Sequence, residues 1–438
     1  MHGSLLLPRT IRATALQLRA HDRSGFQNAW PGILAAIDEA TSQGAQLLVL
    51  PEGTVPAYFL GTRSVNVSEV KAAVADVQQR ARRSKCVIAF GAARVQDGKT
   101  FNSAYVVNSD GEIAGVADKH FLWHFDRKWF EAGSAVQPVQ TSLGALGVMI
   151  CADGRIPLVA QRLVLAGATI LVMPTAWVTS GREPVELENI QADLLTGVRA
   201  RENGVPFVAA NKVGVEAQCI AYCGKSQIIE RNGACIALAS QDRSEILSAS
   251  IEIGHKVPNG GLCNETLPKQ DASSAVLRIA LVAEADSLKD SLREIVANTD
   301  VDIVVGPDEL GRQALDEHGI GTAFVGDETV LNPSGLIAYK KAGYQLVVWE
   351  TDCPPPWQIR FARTRALELR LYVVTLDRAQ HRAYAVDPDG AVLCGTFNGY
   401  RVAAFSFNGL RTSDTLVAPY TDILDGLSRA AAASSAVT

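Results

Sequence analysis

The 438-residue chain has no long apolar run, no block of like charge and no cysteine spacing of the metal-binding kind. Each absence excludes something. No stretch approaches the roughly 20 apolar residues of a membrane helix, and the opening MHGSLLLPRTIRATALQLRA lacks the apolar core of a signal peptide. The 41 basic and 46 acidic residues, net charge −5, are scattered, which leaves no electrostatic footprint for nucleic acid or an anionic membrane. Of the eight cysteines, Cys219 and Cys223 form one C-x3-C pair without His or Cys partners nearby. The expectation is a reduced, cytoplasmic protein with no structural zinc and no cofactor.

What is present suits a globular protein of two domains: 47% hydrophobic residues, 20% charged, and a length beyond one ordinary domain. The first half alternates strand and helix signals. IRATALQL, AQLLVLPEG, CVIAFGAARV, GALGVMIC, TILVMPTAW and PFVAANKVG read as strands; NAWPGILAAIDEATSQG, SEVKAAVADVQQRARRSK, PLVAQRLVLAGA and ELENIQADLLTGVRARENG read as helices. KTFNSAYVVNSDGEIAGVADK and SQIIERNGACIALA read as hairpins. Apolar strands with helices between them predict a mixed α/β sheet covered on its faces.

Periodicity stops over residues 255–275, where Pro, Gly, Asn and Ser accumulate, and a linker is expected there between domains at 1–254 and 276–438. The pattern then repeats: TDVDIVVGPDEL echoes GAQLLVLPEGT, TVLNPSGLIAYKK echoes YVVNSDGEIAGVADK, and RALELRLYVVTLD echoes RARENGVPFVAAN. The second copy is shorter, and the missing segment is expected to include the counterpart of the strand that ends at Cys151. Asp308 stands where the first copy has Glu52, and Lys340 and Lys341 lie near the place of Lys119.

Three residues stand at strand ends, where reactive side chains converge on a crevice in α/β folds: Glu52 after LLVLP, Lys119 after IAGVAD, and Cys151 after GVMI. They form a chemically coherent set. A thiol, with an ordinary pKa of about 8.5, needs a base to take its proton, and Glu52 can serve. A cation favours the thiolate and an oxyanion, and Lys119 can supply it. The backbone N–H of Ala152 can donate to the same oxyanion. Tyr58, Trp123, Trp129 and Trp177 fall in loops beside these motifs and are candidates for a substrate pocket.

LPEG, DKHFLWHFDRKWFEAG and GVMICADGRIP, in that order, resemble the Glu, Lys and Cys motifs of the nitrilase, or carbon–nitrogen hydrolase, superfamily; LAGATILVMPTAW and ARENGVPFVAANKVG extend the resemblance over about residues 10–250. The resemblance implies an αββα sandwich, a covalent thioester or thioimidate intermediate, Cys151 as nucleophile, Glu52 as general base and Lys119 as oxyanion stabiliser. It also makes Glu131 the candidate for a second glutamate near the lysine. Cys151-Ala152-Asp153 fits the amide and carbamoyl hydrolases of the superfamily better than the nitrile hydrolases, which usually show Cys-Trp-Glu. The implied activity is metal-free hydrolysis of a small carboxamide or N-carbamoyl compound with release of ammonia. Nitrile hydrolysis or acyl transfer by the same triad is the nearer alternative, and a non-catalytic scaffold the more distant one. Residues 276–438 read as a degenerate nitrilase-like copy. The chain then forms a pseudo-dimer within itself or assembles as a homo-oligomer.

Overall fold

The computed structural model describes residues 9–62, 64–179, 188–254, 260–284 and 300–433. The chain divides into two units, one drawn from Met1–Pro258, Ala418–Thr421 and Asp425–Thr438, the other from Asn259–Val417 and Asp422–Leu424. Residues 260–275 of the expected linker carry neither helix nor strand, and 255–259 lie outside the described residues, as do the first residues of the helix expected over 186–204.

In the first unit, strands β1 (Arg9–Arg19), β2 (Leu47–Val49), β3 (Val87–Gln96), β4 (Lys99–Val107) and β5 (Ile113–Asp118) lie side by side in that order. A second sheet begins with β6 (Val139–Thr141), β7 (Gly144–Val148), β8 (Ile170–Pro174) and β9 (Phe207–Ala210). Strands β10 (Lys212–Glu216) and β11 (Ile220–Cys223) return to the first sheet beyond β1, β12 (Gln227–Ile229) and β13 (Cys235–Leu238) complete the second, and β14 (Glu245–Ile253) pairs antiparallel with β1.

Helices cover the outer faces because their apolar residues fall on one side. α1 (Phe26–Ser42) buries Phe26, Trp30, Ile33, Ile37 and Ala40, and α2 (Val67–Ser84) buries Val70, Ala73, Val74, Val77 and Ala81, the three-and-four spacing of a single face. Both pack on Leu48, Leu50, Ile88 and Phe90 of the first sheet. Asn66 starts α2 by accepting the N–H groups of Ser68 and Glu69 at 3.1 and 3.3 Å. α3 (Pro157–Leu165) lies against β7 and α4 (Thr196–Asn203) against β9. The sheets face each other, β1 toward β9 and β3 toward β8. The first unit is therefore an αββα sandwich.

The second unit is built on the same strand directions. β15 (Val276–Val282) runs parallel to β16 (Ile303–Val305) and antiparallel to the later strand Val402–Asn408, as β1 does to β2 and β14. β17 (Thr322–Val325), β18 (Leu346–Thr351), β19 (Tyr372–Asp377), β20 (Arg382–Val386) and β21 (Val392–Gly395) pair parallel, parallel, antiparallel, antiparallel. The sequence β7-β8-β9-β12-β13 does the same.

This register corrects two expectations. Gly147 opposes Leu171, which opposes Phe207, and Ala323 opposes Val347, which opposes Val373; Phe207 and Val373 each lie eight residues after a buried arginine, Arg199 and Arg365, so the place of Cys151, four residues past Gly147, is taken by Asp327. A short helix, Asp327–Val330, follows the strand there, without the positive φ of Cys151. What the second unit lacks, among the described residues, is a counterpart of β3–β5: between β16 and β17 there is only the helix Arg312–Glu317. The segment TVLNPSGLIAYKK, expected as a hairpin, is helical at Asp327–Val330 and Ile337–Lys341. Its Asn-Pro-Ser-Gly imitates a hairpin turn in composition, but the Asn332 side chain accepts the Ser334 N–H at 3.0 Å in a turn between the two helices. Lys340 accordingly sits on a helix and donates to the carbonyls of Arg370 and Thr412 at 3.2 and 2.6 Å.

Candidate active site

The turn after β2 delivers Glu52 to the seam between the sheets, where its N–H donates to the Thr175 carbonyl beyond β8 at 3.2 Å. β3 can pass this turn only because it carries Gly91: a Cβ there would lie 2.6 Å from the backbone of Pro51, Glu52 and Gly53. One carboxylate oxygen of Glu52, Oε1, accepts from Asn102 Nδ2 of β4 at 2.6 Å and from Lys119 Nζ at 2.7 Å. The other, Oε2, is buried and has no hydrogen-bond partner.

Lys119, one residue past β5, also contacts Asp126 Oδ2 at 2.7 Å, and neither its side chain nor the carboxylates are exposed. Asp126 in turn accepts from the Tyr58 hydroxyl at 2.6 Å and from the Trp123 N–H at 2.9 Å, which fixes the short turn His124–Lys128. Burial opposes the charge on Lys119, but Asp126 and Glu52 outweigh it and hold the ammonium well above the ordinary lysine range. Burial raises the Glu52 pKa, and Lys119 opposes the rise without cancelling it. Burial and then Asp126 raise the Tyr58 phenol as well.

Cys151 opens a short 3₁₀ turn, Cys151–Arg155, with a left-handed φ of +46° that a non-glycine residue rarely adopts. The Asp153 N–H returns to the Ile150 carbonyl at 3.0 Å, leaving those of Cys151 and Ala152 outside the turn's own bonding. Two devices brace this strained elbow. The Asp153 carboxylate accepts from the N–H groups of His120 (3.0 Å), Phe121 (2.7 Å) and Ile150 (2.9 Å), tying the cysteine turn to the lysine loop. From α4, Arg199 Nε donates to the Gly154 carbonyl at 2.9 Å while Nη1 pairs with Glu202 at 2.6 Å. Burial pushes the Cys151 thiol up to about 12, with the Glu52 charge adding to the rise and Lys119 opposing it. The resting thiol is therefore protonated at neutral pH, and its activation depends on a base.

A cavity of about 230 Å³ opens over Cys151. Tyr58, Trp123 and Trp177 line it, with Arg155, Asn189 and Gln191. Gln191 opens a π-helical turn, Gln191–Leu195, and its Oε1, like Trp177 Nε1, is buried without a partner. Ala152 is fully buried immediately after Cys151. Trp129 packs instead on Phe59 and Phe125 and donates to the Gly61 carbonyl at 2.8 Å. Among the described residues no group of three or more His, Cys, Asp or Glu side chains is placed to hold a metal ion, and His120 Nδ1 is engaged by the Gly133 carbonyl at 3.0 Å.

Glu131 is not brought to this cluster. Its side chain is exposed, and its backbone N–H donates to the Thr100 carbonyl at 2.8 Å. The carboxylate beside Lys119 is Asp126, five residues earlier, inside the same motif. Glu131→Gln is expected to keep kcat/KM within about twofold, whereas Asp126→Asn should lower it at least tenfold; steady-state kinetics of the two variants checks this. Asn102, Asp126, Asp153 and the Arg199–Glu202 pair escaped sequence reasoning. Of these only Asp153, two residues after the cysteine, sat in a position that marked it.

Residues 12–255 match the family model for carbon–nitrogen hydrolases. A probable nitrilase of Schizosaccharomyces pombe is 29% identical over 227 residues, which cover 50% of this chain and 79% of that protein. A hydrolase of Pseudomonas protegens is 34% identical over 221 residues, 48% of this chain and 72% of its own length. The crystal structure of a carbon–nitrogen hydrolase from Helicobacter pylori superposes with a TM-score of 0.50 at 27% identity, covering 55% of this chain and 89% of that one. No helix among the described residues is long and apolar enough to cross a membrane. With a nitrilase-type sandwich over its first 250 or so residues, the chain belongs to the carbon–nitrogen hydrolase family and is a hydrolase enzyme.

Proposed function

We propose that the enzyme hydrolyses the carbon–nitrogen bond of a small carboxamide or N-carbamoyl compound through a thioester on Cys151. The observation that carries this reading is the unpartnered Glu52 Oε2 in a fully buried Glu52–Lys119–Asp126 array next to Cys151. A carboxylate whose other oxygen is already satisfied is a base with one free lone-pair face.

The Cys151 sulfur bonds to the substrate carbonyl carbon as its proton passes to Glu52 and the carbonyl electron pair moves to oxygen. Lys119 and the Ala152 N–H stabilise that oxyanion. Collapse expels the nitrogen, which takes the proton from Glu52 and leaves as ammonia. Water then attacks the thioester, again giving its proton to Glu52, and the thiol is restored as the acid leaves. Asp126 is a second counter-charge to Lys119, so that the ammonium stays charged when Glu52 is protonated.

The second unit is proposed as a non-catalytic copy of the first. The shared strand order supports it, and so does a repeated buried device: Arg365 pairs with Glu368 at 3.0 Å and donates from Nε to the Val330 carbonyl at 2.8 Å, as Arg199 does with Glu202 and Gly154. Asp327, in the cysteine's place, carries no thiol.

Ammonia release from a panel of carboxamides, N-carbamoyl compounds and nitriles tests the substrate class. Release from the first two is expected, and release from nitriles alone would overturn the reading. The pH profile follows from Glu52. The base works only as the carboxylate, and its pKa is raised, so kcat/KM should fall on the acid side at a pH above the ~4.3 of a free glutamate.

A further inference from the structure

Beside the Glu52–Lys119–Asp126 array lies a second buried ion pair, one that takes no direct part in the proton transfers. Strand alternation puts Lys212 and Glu216 on one face of β10, and pairing with β11 sets Tyr222 opposite Gly214, between them. All three side chains are buried, and none lines the cavity over Cys151. Glu216 Oε2 accepts from the Tyr222 hydroxyl at 2.7 Å and from Lys212 Nζ at 3.1 Å. Two further bonds leave the hairpin. Lys212 Nζ donates to the Gly53 carbonyl at 3.0 Å, and Glu216 Oε1 accepts from the Phe59 N–H at 2.6 Å.

Those two contacts fall one residue after Glu52 and one residue after Tyr58. The segment between them is compact. A Cβ on Gly53, whose φ is +56°, would lie 2.5 Å from the Tyr58 Cα, and His21 Nε2 meets the Pro56 carbonyl at 2.9 Å. Glu52 bonds Lys119 directly, and Tyr58 reaches it through Asp126. The ion pair therefore grips both ends of the segment that supplies the partners of Lys119. Stability alone is a poor reason for it, since apolar side chains of similar volume commonly replace a buried ion pair at little cost. The second unit offers a comparison. It keeps the buried Arg–Glu device, as Arg365 and Glu368, but joins β19 to β20 by residues 378–381 alone, where the first unit inserts β10 and β11 between β9 and β12. The unit without the thiol is also the unit without this hairpin.

We infer that Lys212, Glu216 and Tyr222 are positioning residues, which hold the Gly53–Phe59 segment in register so that Glu52 stays aimed at the Cys151 thiol while Tyr58 keeps Asp126 on Lys119. This rests on Glu52 as the base for Cys151. A displacement of about 1 Å in a reacting group can cost about 10²-fold in rate, so loosening one end of the segment shows in kcat rather than in KM.

The test measures kcat, KM and melting temperature of the full chain, with the member of the amide and carbamoyl panel that is turned over fastest. Lys212→Met should lower kcat by about 10- to 100-fold with KM within about threefold, and should lower the melting temperature, because Glu216 loses its cation. Lys212→Met/Glu216→Met should melt close to wild type, both charges being gone, while kcat stays at least about 10-fold down. Tyr222→Phe keeps the fold's volume and removes a single bond, so a loss of about 3- to 10-fold in kcat is expected there even if the double variant does not fold. A double variant that regained both stability and full kcat, losses confined to KM, or Tyr222→Phe at full kcat would overturn the proposal. Glu52→Gln, measured alongside, separates the two readings. An inactive Glu52→Gln beside fully active Lys212 and Glu216 variants would overturn the positioning role alone; a fully active Glu52→Gln would overturn the base on which it rests.

Discussion

Replacing Cys151 by alanine should remove turnover by at least about 10⁴-fold and leave the protein folded. The size of the loss follows from the role: when the nucleophile goes, base and oxyanion donors have nothing to act through, and residues that work as a unit fail together. The small cost in stability follows from the place. Cys151 borders a cavity, so deleting its sulfur opens little new void, and a loss of about 1 kcal/mol, the centre of the distribution for point substitutions, is expected. The elbow's geometry is held from outside the cysteine, by the three N–H bonds to Asp153 and the Arg199 bond to Gly154. Kinetics beside thermal melting separates the two effects. A variant that kept a tenth of the activity would end the assignment of Cys151 as nucleophile.

Lys119→Met should damage both activity and stability. In activity, it removes a cation from the developing oxyanion, a loss of about 10²–10³ in kcat. In stability, it strands Glu52 and Asp126 together without their shared counter-ion in a fully buried site, and breaking such a pair from one side costs about 3–5 kcal/mol. The melting temperature should drop by about 10 °C. Adding Asp126→Asn should recover part of the stability, because one of the two stranded charges is then gone, while leaving the activity low; the effects of neighbours in one network do not add. A Lys119→Met protein as stable as wild type would show that the carboxylates are not held as ions by this lysine.

Much of the fold was legible because its signals are local. The α1 and α2 faces, the strand ends at Glu52, Lys119 and Cys151, and the hairpin turning at Ser109–Gly111 are each set by residues close in sequence. What escaped depends on contacts far along the chain or on turns that share a composition. Glu131 and Asp126 occupy one loop and carry the same charge; only the turn His124–Lys128, fixed through the distant Tyr58, decides which faces Lys119. In the second unit, Asn-Pro-Ser-Gly reads like Asn-Ser-Asp-Gly, yet it forms part of a helical connection, and register against β18 puts Asp327 in the cysteine's place.

The most direct test of the account is intact-protein and peptide mass spectrometry of the enzyme acid-quenched during turnover of an amide. The account predicts a transient gain equal to the acyl portion of the substrate, on the peptide that contains Cys151, and no such gain in Cys151→Ala. Ammonia released at full rate with no adduct under any quench time, or an adduct on another residue, would contradict it.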